Sequence, residues 1–239
     1  MIDFHSHILP EIDDGASSVE ESMQILNTMK TYGVKTVVAT PHYYDCYTTV
    51  ESFLIARDLL YKKLSEAVSI QGLNVPEIIL GAEVRLFFDI VNNPLLDNLC
   101  IGETKCILIE LPDGVWFDWV YDAVKYIKEE RGLIPVLAHL ERYIASPKDM
   151  ERFEKFFEQE VYIQINSDSV ADRVLWRNIK VLFDKNQVHL IGSDTHNTTS
   201  RRFEFGVAQK KITKAYGQQC WQKLRSEERR VGKECRSRW

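Results

Sequence analysis

The strongest constraint on what this chain can fold into is a regular alternation of short aliphatic runs with longer stretches of helical period. Runs rich in β-branched and aliphatic residues cover 2–7, 34–40, 78–86, 106–111, 134–139, 161–165 and 188–193. Between them, 18–32, 50–71, 116–131, 147–158, 172–185 and 202–216 have amphipathic helical spacing. The first helix carries Ser17 or Ser18 followed by Glu20 or Glu21, which resembles a capped start. Strands that alternate with helices pair in parallel, because each crossover helix returns the chain to the same end of the sheet. Either a barrel or a doubly wound sheet satisfies that pattern. The turn at 8–15, ILPEIDDG, is acidic and lacks a G-x-G-x-x-G, and no G-x4-G-K-[ST] occurs elsewhere, so a nucleotide cradle is absent. The conspicuous polar residues instead fall at the C-terminal ends of several different runs, where barrel enzymes place their chemistry. The expectation is an α/β fold, a distorted seven-stranded (β/α)7 TIM-like barrel forming one domain over 1–225.

Composition removes several function classes. Thirty Lys and Arg against 35 Asp and Glu give a net charge of −5, without the basic footprint of sequence-independent nucleic-acid binding. No apolar run approaches the roughly 18 residues of a membrane span, and a strand-like MIDFHSH stands at Met1 without a basic, apolar leader. A cytoplasmic protein without membrane insertion is expected. The five cysteines form no C-x-x-C pair, and none is followed by Arg at the sixth position, which disfavours a disulfide framework, a zinc knuckle and cysteine-dependent phosphatase chemistry. Residues 226–239 are dense in charge, lack apolar periodicity and resemble translated vector or adapter sequence. They are expected to be a non-native tail outside the domain.

Five of the six histidines, His5, His7, His42, His139 and His196, fall at strand ends or in the loops just after them. His5 and His7 are two apart on a strand and share a face. Alone, an H-x-H pair is usually structural; its company makes it specific. Asp194 and His196 repeat the spacing at the last strand, and Glu83 and Glu110 close apolar strands. A carboxylate buried there without a partner costs several kcal/mol (order of magnitude), and a cation removes that cost. Nitrogen and oxygen donors without a thiolate favour Zn, Mn or Fe. The sixth histidine, His189, lies early in its strand and reads as structural.

His5-Ser6-His7, Asp13-Asp14-Gly15, Thr40-Pro41-His42, Gly81-Ala82-Glu83, Ile109-Glu110, Ala138-His139-Leu140-Glu141-Arg142-Tyr143 and Ser193-Asp194-Thr195-His196-Asn197 occur in the order seen in the polymerase and histidinol phosphatase (PHP) superfamily. From Met1 to about Leu224 the chain most resembles the bacterial capsule-regulating protein-tyrosine phosphatases, the CpsB- and YwqE-like branch. That resemblance implies a three-metal cluster, manganese with iron or zinc as alternatives, at the mouth of the barrel. Carried over motif by motif, His5, His7, Glu83 and Asp194 would hold the first metal. Glu83 would bridge to a second, held with Glu110 and His139, and Asp14, His42 and His196 would hold the third. Arg142 and Arg201 match phosphate-contacting arginines, with Arg202 an alternative to Arg201.

Three divalent ions against four ligand carboxylates would leave about two positive charges with neutral histidines, so the cavity would attract an anion. The implied activity is hydrolysis of phosphotyrosine by metal-activated water, on a bacterial tyrosine kinase of polysaccharide export. Histidinol phosphate or nucleic-acid hydrolysis would use a similar site, and a catalytically silent binding module would have no need of all nine ligands. Tyr43, Tyr44 and Tyr47 after the second strand, and Trp116, Phe117 and Trp119 after the fourth, could wall a substrate ring or simply pack helices on the barrel.

Overall fold

In the computed structural model, residues 1–144 and 149–234 are described, the side chains of 226–234 excepted. Among them the aliphatic runs form nine strands: β1 (Ile2–Ser6), β2 (Thr36–Ala39), β3 (His42–Tyr43), β4 (Glu77–Leu80), β5 (Glu83–Arg85), β6 (Cys106–Glu110), β7 (Ile134–Leu137), β8 (Tyr162–Asn166) and β9 (Leu190–Gly192). Every pairing is parallel, in a three-stranded sheet β1-β2-β4 and a six-stranded sheet β3-β5-β6-β7-β8-β9. The parallel α/β class expected from the alternation is present, and the strand count among the described residues differs from the expected seven. The run 78–86 breaks in two at Gly81-Ala82, and its halves, β4 and β5, belong to different sheets; the run 34–40 gives β2 alone, and past Thr40-Pro41 a further short strand, β3, joins the other sheet. Pro41 has no N–H to donate, yet its carbonyl still accepts from Glu83 N–H at 3.0 Å, and Ala39 accepts from Gly81 N–H at 2.9 Å. At the other edge, β9 and β1 meet through the Ser6–Thr195 bridge. There Asp194 N–H donates to the His5 carbonyl and His7 N–H to that of Thr195, both at 2.8 Å.

The helices are α1 (Val19–Thr31), α2 (Val50–Ile70), α3 (Asp118–Glu129), α4 (Met150–Glu158), α5 (Ser167–Ala171), α6 (Arg173–Asp184) and α7 (Phe205–Glu234). Ser18 caps α1, its side chain accepting from Glu21 N–H, and Asp172 caps α6 by accepting from Val174 and Leu175. The start expected at Trp116 moves to Asp118, because Phe117 is extended. Residues 145–148, including the expected helix start at Pro147, lie outside the described residues. The short α5 directly after β8 was not anticipated, being a single turn too short to show a period. Nor does the last helix end at Tyr216. Gly217, at φ 83° and ψ 163°, kinks it, and the helix resumes to bury Trp221 and Leu224 and continues to Glu234. The tail segment 226–234 is therefore helical in backbone, and 235–239 lie outside the described residues.

Two apolar clusters follow from the strand alternation. Val37, Ile107, Ile109, Ile163 and Ile191 join the large cluster that the helices cover. Phe4, Val38, Leu108, Val136 and Leu190, with Ala138 just after β7, form a smaller one. No helix of the described residues is long and apolar enough to cross a membrane.

Candidate metal centre

The loops after β1, β7 and β9 are fixed by their backbone conformation and by hydrogen bonds to their amide groups. His139 and Asp194 adopt left-handed φ of 33° and 51°, a conformation that costs a non-glycine residue roughly 1–3 kcal/mol and persists only where surroundings enforce it. Hydrogen bonds from His139 N–H to Gln164 Oε1 (3.0 Å) and from Asp194 N–H to the His5 carbonyl (2.8 Å) do so here. In the acidic turn, a Cβ on Gly15 would stand 2.3 Å from the His7 carbonyl oxygen, so only glycine fits. Gly15 N–H donates to Asp13 Oδ1 at 2.9 Å, which folds the turn back over the strand end. The β1–β2 register shifts between Asp3 and Ser6. Such irregularities re-aim side chains beside active sites.

On this frame nine side chains converge. His5 Nε2 and His7 Nε2 are 3.1 Å apart, and Glu83 Oε2 lies 3.0 and 3.2 Å from them. Asp194 Oδ1 completes that group at 3.6 Å from His5 and 3.4 Å from His7. A second group joins His7, Asp14, His42 and His196, with Asp14 Oδ1 3.5 Å from His42 Nε2 and 3.3 Å from His196 Nε2. The third group is His42, Glu83 and Glu110. His139 Nε2 lies 2.7 Å from Glu83 Oε1 but 4.0 Å from Glu110 Oε1. The structure therefore sets His42, whose Nδ1 is 3.1 Å from Glu83, between two groups, and seats His139 against Glu83.

The donor chemistry fits cations. Two imidazole nitrogens 3.1 Å apart both face one buried carboxylate oxygen, an arrangement a shared cation satisfies, and the buried His196 Nε2 has no hydrogen-bond partner. Without a cation the carboxylates enforce protonation instead. Burial opposes charge on His5, but Glu83 and Asp194 outweigh it and raise its pKa; Asp13 does the same for His7, more strongly. Burial likewise opposes ionisation of Glu83 and Asp194, yet the histidines hold both well below the carboxylate range, Arg142 adding to the effect on Asp194. Burial and the charge of His7 push His196 down to about 3. Metal binding would displace the ring protons, since a ligating imidazole must be neutral.

Arg142 and Arg201 both reach this centre, on the same carboxylate: Arg142 Nη2 is 2.5 Å and Arg201 Nη2 3.0 Å from Asp194 Oδ2. Arg202 instead points away to Glu204 at 3.4 Å. Of the aromatics, Trp116 is packing: it donates to the Pro112 carbonyl and stacks under Arg152. Tyr43 is buried edge-on to Phe53, whereas Tyr44 joins the centre, donating to Glu110 Oε2 at 3.3 Å. His189 is structural, accepting from Ile163 N–H. No thiol among the described residues joins the metal-ligating groups.

Sequence reasoning missed the residues behind the ligands. Asp13, beside the expected ligand Asp14, accepts hydrogen bonds from His7 Nδ1 at 2.7 Å and from His42 N–H at 2.9 Å. Gln164 Oε1 faces His5 Nδ1 at 3.1 Å, and Asn166 donates to Asp194 Oδ2 at 2.7 Å. Polar Gln164 inside an apolar strand was a readable signal; nothing distinguished Asp13 from its neighbour. Such partners fix a ligand's tautomer and orientation.

A sequence profile for capsular polysaccharide synthesis proteins, CpsB/CapC, matches residues 1–230. The chain belongs to the CpsB/CapC family. Tyrosine-protein phosphatase YwqE of Bacillus subtilis is 31% identical over 228 residues, covering 91% of this chain and 85% of YwqE. A solved chain from the crystal structures of YwqE of B. subtilis and CpsB of Streptococcus pneumoniae, described as unique metal-dependent tyrosine phosphatases, superposes with a TM-score of 0.82. That match has 26% identity and covers 95% of this chain and 93% of the other. hisK of Listeria monocytogenes, at 11% identity and a TM-score of 0.50 over 82% of this chain and 95% of its own, shares the fold alone. The CpsB/CapC match spans all the ligand positions.

Proposed function

We propose that this chain is a metal-dependent protein-tyrosine phosphatase of capsular polysaccharide synthesis, working on three divalent cations, manganese foremost. The observation that carries the reading is the convergence of nine nitrogen- and oxygen-bearing side chains, thiol-free, with two guanidinium groups on their rim. One cation would be held by His5, His7, Glu83 and Asp194, a second by Glu83, Glu110 and His139, and a third by Asp14, His42 and His196. Zinc or iron would suit the same donors. Hydrogen bonds linking β9 to β1 support closure of the two sheets into one distorted seven-unit barrel, with 1–225 as its domain.

Bound cations would supply an acidified water and neutralise charge on the phosphoryl oxygens. The protein's own contribution is positioning. Arg142 and Arg201 offer forked donors for equatorial oxygens, held in place by Asp194 until an anion competes for them. Burial of His5, His7 and Glu83 excludes bulk water from the cluster and strengthens each of these interactions. The substrate is a phosphotyrosyl segment of a protein, with a bacterial tyrosine kinase of polysaccharide export as partner in the cytoplasm. The net charge of −5 argues against nucleic acid.

The test offers manganese-loaded protein a phosphotyrosyl peptide, histidinol phosphate and a phosphodiester in parallel. The peptide should be hydrolysed preferentially, with activity lost on chelation and restored by manganese. Preference for either other substrate, or chelator-resistant turnover, would overturn the reading.

A further inference from the structure

A cleft of about 450 Å³ opens beside the metal centre, between the acidic turn, the segment after β3 and the first turns of α2, and Asp14 and His42 belong to both. Its apolar walls are Ile12, Tyr44, Tyr47, Phe53 and Ala56, and no lysine or arginine lines it. We propose that this cleft seats the aryl ring of the substrate, with Tyr44 and Tyr47 as the residues that select phosphotyrosine over phosphoserine. The proposal rests on the phosphatase reading above.

Depth supplies the first argument. His5, His7 and Glu83 have no exposed surface, while the side chains of His42 and Asp14 at the rim are 14% and 63% exposed. A phosphate can reach the buried groups only on a long, narrow spacer. The para-phenylene of phosphotyrosine carries its phosphate several bonds further from the backbone than the single methylene of phosphoserine does. A peptide backbone could not follow the shorter side chain past the rim.

Chemistry supplies the second. No lysine or arginine lines the cleft, whereas Arg142 and Arg201 both sit on Asp194 in the cluster, Arg201 also reaching Asp14 at the shared edge at 3.3 Å. The two halves of a phosphotyrosine, an apolar ring and a dianion, therefore have separate neighbouring seats. Tyr44 is fixed: its hydroxyl is 3.3 Å from both Glu110 Oε2 and His42 Nδ1, and its ring lies 5.1 Å from that of His42. Tyr47 meets Tyr44 edge-on at 5.8 Å and leaves 83% of its surface in solvent. An incoming ring would cover that exposed aromatic surface, in the offset or edge-on geometries aromatic groups prefer.

The experiment uses two variants of the full-length, manganese-loaded protein, assayed on a phosphotyrosyl peptide and its phosphoseryl counterpart. Tyr47→Ala removes one wall and should raise KM for the phosphotyrosyl peptide about tenfold, the value of one aromatic contact with its buried area, while kcat holds. Ala56→Trp, at a half-buried position of α2 that lines the cleft, fills it and should lower kcat/KM for that peptide by about tenfold or more. Both should leave manganese content and inhibition by inorganic phosphate unchanged, which also reports on folding, and the wild type should turn over the phosphoseryl peptide far more slowly than the phosphotyrosyl one. Wild-type kinetics in both variants, or equal wild-type turnover of the two peptides, would overturn the proposal. Failure of the wild type on the phosphotyrosyl peptide would instead strike the phosphatase reading itself.

Discussion

Replacing Asp13 with Asn is the sharpest test of how the protein prepares its ligands. One carboxylate takes three donors: Oδ2 accepts from His7 Nδ1 at 2.7 Å and His42 N–H at 2.9 Å, and Oδ1 accepts from Gly15 N–H at 2.9 Å. Asn keeps the oxygen for Gly15 and turns an NH2 toward the other two. The His42 N–H then faces a donor inside a largely buried site, at a cost of about 1–3 kcal/mol. In a chain of this length that lowers Tm by roughly 2–12 °C. His7 has an escape: it can move its proton to Nε2 and accept at Nδ1. That tautomer points a hydrogen at Glu83 and Asp194, where the lone pair is needed. Manganese affinity should therefore fall about 10- to 100-fold, as when a ligand's hydrogen-bond partner is lost elsewhere. Calorimetric titration of manganese into metal-free D13N, beside thermal melts of the same preparation, measures both effects. Affinity within twofold of wild type would refute the idea that Asp13 sets the tautomer of His7.

Arg142→Ala should preserve metal content, because a guanidinium does not ligate cations and Asp194 keeps Asn166 and Arg201 as partners. Its kcat/KM on a phosphotyrosyl peptide should drop about a hundredfold; unchanged kinetics would remove Arg142 from the site. Glu21 is held down to about 2 by hydrogen bonds from Ser17 and Thr198, which tie α1 to the loop carrying Arg201. Its folded pKa lies below the ordinary 4.5, so its stabilisation is complete above pH 4.5 and fades as pH falls toward 2. Denaturant melts should show the gap between wild type and E21Q narrowing from pH 5.5 to about pH 3, and a constant gap would contradict this. Deleting residues 226–239 should shift Tm by less than about 2 °C, as for other surface changes, because the cut leaves Trp221 and Leu224 buried; a large fall would show that the segment packs.

Much of this architecture is legible in the residue order, and the reason is local. Alternating periods of two and 3.6 reflect which faces of each element are buried, so the parallel α/β class follows from the sequence, as does the Ser18 cap on α1. The ligand set is legible for a similar reason. A histidine or carboxylate closing an apolar strand is expensive unless something compensates it, and nine such positions recur at strand ends or in adjoining loops. What a one-dimensional pattern lacks is distance between elements. Tertiary contacts alone divide the run 78–86 between two sheets and add β3 after Pro41, because the break depends on which neighbour each half pairs with. They bring His42 into one group with Glu83 and Glu110 while His139 sits 2.7 Å from Glu83 and 4.0 Å from Glu110, and they place Arg201 rather than Arg202 on Asp194. They also separate Asp13 from Asp14. Two adjacent carboxylates are equivalent in sequence, but the turn that Gly15 permits sends one behind His7 and leaves the other 63% exposed at the rim. Residue type fixes which chemistry is available, and through-space geometry decides which atom performs it.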